Sequence, residues 1–244
     1  MQVVNLGLIP YDEALDLQHR LVAARKAGQI ADVLLLLEHP PVITLGRRGD
    51  RSNIVATPQM LEQLGIQVFR VERGGDVTYH GPGQLVGYPI LDLTRHRQDV
   101  GWYVHSLEET LRLTLADFGI EAFRIEGLVG VWVKVPQHLV APDWDLTPGV
   151  RGEDELIDAK IAAIGARIEQ WITYHGFALN VDPNMNHFNL IVPCGIEDKA
   201  VVSMRQVLGR AVDFEVVRGA VIRRFGEVFD VTVEEAPLTD LELR

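Results

Sequence analysis

Residues 33–37 of the chain read VLLLL, an uninterrupted apolar run that ends in Glu38 and His39. A run so dense and so short belongs to a buried strand, and it is far too short to cross a bilayer. A buried strand needs covering layers. The rest of the pattern supplies them, because strands and helices interleave without strict βαβ alternation. That arrangement points to an α+β fold, a mixed β-sheet with packed helices.

Residues 11–26 read as a helix, with Leu15, Leu17, Leu21 and Val22 as a rough apolar stripe and Gly28 as its stop. PVITLG is the strand that follows VLLLLEH. Residues 57–64 form a short helix, with Thr57 as cap and Pro58 at the first position. QVFRVE reads as a strand, GGDVTYHGPGQ as a glycine-rich loop and LVGYPILDL as a strand. Residues 101–118 read as a long amphipathic helix ended by Gly119. AFRIEG and VGVWVKV are strands with a tight connection. Residues 136–158 then bring prolines, acids and no clear period, the mark of a long surface excursion. AKIAAIGARI and WITYHGFALNV resume strand-like alternation as a hairpin, and NLIVPCGIED places a strand end at a bend. Residues 203–208 and 214–229 read as helices capped by Ser203 and Asp213. No linker divides the chain, so residues 1–244 are expected to form a single domain with a long loop insertion at about 134–159. A small C-terminal subdomain from about residue 200 is the alternative division.

The formal net charge is −11, which argues against general nucleic-acid binding, because phosphate needs a basic surface. Arg47, Arg48, Arg51, Arg70 and Arg73 crowd the first third and are the candidate for a local basic patch. One cysteine cannot form an internal disulfide, which fits a reducing compartment. The N-terminal segment has no basic region followed by an apolar stretch and a cleavage site. A cytoplasmic protein with no membrane partner is expected, and, with no exposed apolar stripe, a monomer.

That cysteine, Cys194, stands between Pro193 and Gly195. A free cysteine is commonly a small buried hydrophobe. Here the stiff proline, the close approach that glycine allows and the strand end favour a functional thiol. A thiol with a pKa near about 8.5 needs a neighbouring cation or imidazole to become a thiolate at neutral pH. Candidate partners are Lys160, His80, His175 and the arginines. Lysine is scarce, and Lys160 begins the otherwise apolar KIAAIGARI, where a strand-end lysine usually snorkels. In RGGDVTYHGPGQ, Gly74, Gly75, Gly81 and Gly83 alternate with Arg73, Asp76, Thr78, Tyr79, His80 and Gln84, the composition of a binding wall or of a plain turn. It is neither a dinucleotide fingerprint nor a P-loop. The histidines lie far apart, so no zinc spacing exists and no metal is expected.

Taken together, RGGDVTYHGPGQLVGYPILDL, KIAAIGARIEQWITYHGFALNV, IVPCGIED and TLGRRGDRSNIV resemble the signature blocks of the lipoyl(octanoyl) transferases. The likeness runs over about residues 34–214, with a departure at 134–159, where typical members have a short turn. The resemblance implies a biotin/lipoate protein ligase-like fold and a cysteine–lysine dyad at Cys194 and Lys160. It maps acyl-chain binding onto Arg73, Gly74, Gly75, Asp76, Val77, Thr78, Tyr79 and His80, onto Ala163, Ile164 and Gly165, and onto Gly176, Phe177 and Ala178.

The activity so implied is transfer of an octanoyl group from octanoyl-acyl carrier protein, through a cysteine thioester, to a lysine of a lipoyl domain. The acceptors implied are the lipoyl domains of 2-oxo acid dehydrogenase complexes and the glycine cleavage H protein. The acyl group arrives activated, so no cofactor, ATP or metal is implied. Arg47, Arg48 and Arg51 are expected to steer an acidic carrier. An ATP-dependent lipoate or biotin ligase on the same fold, or a non-enzymatic acyl-binding module, remains open at the level of sequence; neither would need Cys194.

Overall fold

A computed structural model describes residues 1–140, 155–192 and 200–241. In chain order the elements are β1 (Gln2–Leu8), α1 (Tyr11–Lys26), β2 (Val33–Glu38), β3 (Val42–Leu45), α2 (Pro58–Gln63), β4 (Gln67–Arg70), β5 (Val77–His80), β6 (Gln84–Ile90) and α3 (Val100–Asp117). There follow β7 (Ala122–Ile125), β8 (Leu128–Pro136), β9 (Leu156–Glu169), β10 (Ile172–Asn180), β11 (Ala200–Val201), α4 (Met204–Leu208), α5 (Phe214–Phe229) and β12 (Glu234–Glu235).

Among the described residues a nine-stranded sheet runs β12-β1-β2-β6-β10-β9-β8-β7, with β11 added against β9. β1 is parallel to β2 and β12, and β11 is parallel to β9, while the other pairs are antiparallel. A second sheet has the order β4-β3-β5. The expected α+β architecture, a mixed sheet with packed helices, is what the chain adopts.

The VLLLL run is β2, inside the large sheet. Leu34 and Leu36 join the core that includes Leu107 and Leu111 of α3 and Val221 and Phe225 of α5. Val33, Leu35 and Leu37 join the opposite layer, under Leu17 and Leu21 of α1. Both faces are covered, so every residue of the run is apolar, and each such side chain contributes about 1.5–3 kcal/mol on burial. The caps read from sequence are in place. Thr57 accepts from the Met60 N–H, Ser203 and Gln206 form a capping box, and Asp213 accepts from the Glu215 and Val216 N–H groups.

Four local readings change. The loop-like GGDVTYHGPGQ contains β5, which pairs with β3 along Thr44↔Thr78 and Val42↔His80. The flanking glycines mask a Val-Thr-Tyr-His core that suits a pleated surface. β1 was not legible, since Asn5 and Gly7 dilute it and a register shift falls between them. The 134–159 insertion begins and ends inside a ladder: Lys134 pairs with Asp158 and Pro136 with Leu156. Lys160 therefore sits within β9 rather than at its start. Finally, Ile191 and Val192 lie in no regular strand; a 3₁₀ segment, Met185–Leu190, leads to a single bridge between Ile191 and Ile54, and the bend expected at Pro193 to Gly195 falls outside the described residues. No helix among the described residues is long and apolar enough to cross a membrane.

Candidate active site

β8 and β9 pair as far as Val131↔Ala162, and β9 then continues only with β10, through Ala162↔Leu179 to Glu169↔Ile172. Where β8 leaves, the loop after β4 docks in its place: the Gly74 N–H donates to the Ala166 carbonyl at 3.0 Å. A cleft of about 810 Å³ lies between these parts. Ligand clefts of roughly 300–1,000 Å³ hold small organic groups, so a medium-chain acyl group fits within this one.

The segments singled out by sequence meet here. Ala163 pairs with Ala178, Ile164 with Phe177 and Gly165 with Gly176, residue for residue across β9 and β10. These six line the cleft, as do Lys160, Arg73, Gly74, Gly75, Asp76, Val77, Thr78 and His80. Tyr79 does not. Period-two alternation turns its side chain to the other face of β5, where the hydroxyl bonds His187 Nδ1 at 2.8 Å and the ring meets Phe188 edge-on.

Lys160 owes its direction to period-two alternation along β9 and to its pairing with Trp132, and a β-bulge follows it. Trp132 pairs with Lys160 and Val131 with Ala162, which leaves Ile161 as an extra residue on β9. Ala159, Ile161 and Ala162 all enter the core, while Lys160 lines the cleft. Its ammonium lies 4.7 Å from the centre of the buried Trp132 ring.

Arg73 is buried and stitches the wall together. Its Nη2 donates to the Thr44 carbonyl at 2.7 Å, its Nε to Thr44 Oγ1 at 3.1 Å and its Nη1 to the Gly74 carbonyl at 2.9 Å. A Cβ on Gly165 would stand 3.1 Å from Arg73 Cδ, so that strand lies close against the guanidinium stem. The Asp76 carboxylate is engaged within the wall, accepting from Asn53 Nδ2 at 2.6 Å. The Arg47 and Arg48 N–H groups donate to the Arg73 and Gly75 carbonyls, which pins two exposed arginine side chains at the rim.

A buried aromatic and imidazole cluster forms another part of the wall, most of it missed from sequence. Tyr11, His80, Tyr88 and His175 line the cleft, and His39 lies behind them. His39 Nδ1 donates to the Ile9 carbonyl at 2.8 Å, and its Nε2 meets the Tyr88 hydroxyl at 2.8 Å. Burial pushes the His39 imidazole down to about 4 and those of His80 and His175 down to about 3, so all three are neutral near pH 7. The His175 backbone is left-handed, at φ 51°, and is held by its N–H donating to Gln18 Oε1 at 2.7 Å. Its Nε2 is buried without a hydrogen-bond partner among the described residues. The available signal was an imidazole two residues beyond the VLLLL run, at His39, and a tyrosine opening the first helix, at Tyr11.

Cys194 lies outside the described residues. On the near side of its segment, the Val192 N–H donates to the Asn53 carbonyl at 2.8 Å, and Asn53 holds Asp76. On the far side, Val201 pairs with Lys160, and the Val202 N–H donates to the Lys160 carbonyl at 3.0 Å.

This arrangement of sheet and helices is that of the lipoate protein ligases. A bi-partite lipoate protein ligase from Thermoplasma acidophilum superposes with a TM-score of 0.70, at 17% identity over 99% of this chain and 88% of that one. Lipoate-protein ligase A bound with ATP gives a TM-score of 0.69, at 17% identity over 99% of this chain and 90% of that one. Both speak to fold alone. The family model for the lipoyl protein ligase A/B catalytic domain matches residues 10–226. Octanoyltransferases are much nearer in sequence. That of Koribacter versatilis is 47% identical over 94% of this chain and 84% of its own length, and that of Solibacter usitatus 49% identical over 93% and 91%. That of Caldicellulosiruptor saccharolyticus is 44% identical over 99% and 94%. The chain belongs to the lipoyl protein ligase A/B catalytic domain family, among its octanoyltransferases.

Proposed function

We propose that this protein transfers an octanoyl group from octanoyl-acyl carrier protein to a lysine of lipoyl domains, as a single catalytic domain working in the cytoplasm, with Cys194 as nucleophile and Lys160 as its proton partner. The acceptors are the lipoyl domains of 2-oxo acid dehydrogenase complexes and the glycine cleavage H protein. The observation that carries this reading is Lys160 lining one cleft with the paired trios of β9 and β10. The anchoring of the chain on both sides of Cys194, to Asn53 and to Lys160, supports bringing the thiol to the same place.

In the first step the Cys194 thiolate attacks the thioester carbonyl. A tetrahedral oxyanion forms and collapses, the carrier sulfur leaves, and the Lys160 ammonium gives it a proton. In the second step the neutral amine of the acceptor lysine attacks the Cys194 thioester. Lys160 takes the surplus proton from nitrogen, the Cys194 thiolate leaves, and a stable amide remains. General acid–base catalysis of this kind is worth about 10²–10⁴-fold. Arg73, Thr78, His80 and the glycine-lined wall hold the acyl chain, and a fully buried chain gains about 0.8 kcal/mol per methylene.

Mass spectrometry after mixing the protein with octanoyl-carrier, without ATP, tests the reading. The wild type should gain an octanoyl mass on Cys194, and Cys194→Ser should not form a thioester. An adduct that needs ATP, or one that survives Cys194→Ala at full yield, would refute it.

A further inference from the structure

Glu108 is the one buried carboxylate among the described residues, at 4% exposure. A glutamate this deep ordinarily answers to something specific. It lies on the α3 face that carries Val100 and Val104, both of which line the cleft. Its Oε1 accepts the Gly130 N–H at 3.0 Å.

Gly130 is no ordinary strand residue. Its φ is +128°, a conformation that side chains rarely adopt. A Cβ there would stand 2.9 Å from the Ala162 carbonyl and 3.2 Å from Lys160 Cε. The stem of Lys160 thus runs against the bare backbone of Gly130, at the point where β8 parts from β9. A neighbouring residue, Trp132, carries the ring over which the ammonium sits. An acceptor held on a helix and aimed at that N–H suits a backbone that must be kept in a rare conformation, because a buried N–H left unpaired is costly.

We propose that Glu108 is a positioning residue: by fixing Gly130 it shapes the bed in which the Lys160 side chain lies, and so sets where the ammonium stands in the cleft. The inference rests on Lys160 being the proton partner; the placement of the side chain does not. Glu108 touches no reacting atom and acts only through Gly130.

Two readouts on the full-length protein test it. One is steady-state octanoyl transfer. The other is reductive methylation with limiting formaldehyde, read by mass spectrometry at Lys160 against Lys26 and Lys134 of the same molecule. Glu108→Ala is expected to lower kcat about ten- to a hundredfold, the scale of a small misplacement of a reacting group, with KM for the donor little changed. It should also change the methylation rate of Lys160 and leave those of Lys26 and Lys134 alone. Glu108→Gln keeps an acceptor of the same shape and should bring both readouts back to within about threefold of wild type. Wild-type kcat and methylation in Glu108→Ala would overturn the proposal. So would equal loss in Glu108→Ala and Glu108→Gln, because an acceptor alone would then not serve. Lys160→Ala is the control for the reading beneath: full turnover in that variant removes the catalytic role of Lys160, while the methylation result still decides what Glu108 does.

Discussion

The ammonium of Lys160 stands 4.7 Å from the centre of the Trp132 ring, directly across the β8–β9 bulge. A cation over an indole is attracted to the ring face, most strongly for tryptophan. Trp132 is also among the largest fully buried side chains. Trp132→Phe keeps a ring under the ammonium and should fold, with kcat lowered a few-fold. Trp132→Ala removes both ring and packing and should cost about 3–5 kcal/mol of stability. Urea unfolding beside single-turnover transfer separates the two; a Trp132→Phe enzyme damaged as badly as Trp132→Ala would argue against the ring's electrostatic part.

Ala163 and Ala178 face one another across β9 and β10, and both line the cleft. A leucine in place of Ala163 takes up room that an acyl chain would otherwise use. Ala163→Leu should reduce transfer of octanoyl more than that of hexanoyl. Each methylene denied burial costs about 0.8 kcal/mol, close to a fourfold change in relative kcat/KM. Competition between the two donors in one vessel measures the ratio, and an unchanged ratio would mean the chain does not pass Ala163.

His39, His80 and His175 are held neutral by burial, with values of about 4, about 3 and about 3 against 6.5 when exposed. The folded state therefore refuses protons that the unfolded chain accepts. Stability is fully present above pH 6.5 and falls as pH drops from there, to about 4 for the His39 share and to about 3 for those of His80 and His175. The slope is at most about 1.4 kcal/mol per pH unit for each histidine. Denaturant midpoints taken across that range should decline steadily. His39→Gln should flatten the decline by one proton's worth; an identical slope in that variant would contradict the burial argument.

Arg47 and Arg48 are exposed at the cleft rim of a chain whose formal net charge is −11. Their backbones are bonded to the loop of Arg73 and Gly75, so their place at the rim is built in. Reversing both, Arg47→Glu with Arg48→Glu, should raise KM for an acidic carrier donor several-fold at low salt. The difference should shrink as ionic strength rises, because screening acts within about 10 Å at 0.1 M. A small octanoyl thioester without a carrier should be used equally well by both enzymes. An equal loss with the small donor would place these arginines in the acyl site instead.

Much of the fold was legible because its cause is local. The VLLLL run, the caps at Thr57, Ser203 and Asp213, and the amphipathic helices each carry their signal within a few residues. β1 and β5 carried little. β1 is held by its parallel ladder to β2, and β5 by its pairing with β3. Among the candidate site residues, Gly176 was read as part of an acyl wall; the structure adds that a Cβ there would meet the Gly87 carbonyl at 2.3 Å, a packing demand set by β6. Tyr79 had the right neighbours in sequence and the wrong face in space.

Residue type and order alone determined the mixed sheet with helices, the scarcity of cysteine and lysine, and the blocks that carry the resemblance, because each depends on near neighbours along the chain. Only the tertiary structure decided that Ala163 to Gly165 would lie opposite Gly176 to Ala178, that strand register would set Lys160 over Trp132, and that His39, His80 and His175 would share one buried cluster. Register, strand parting and desolvation arise from contacts between segments far apart in sequence, and no single segment contains them.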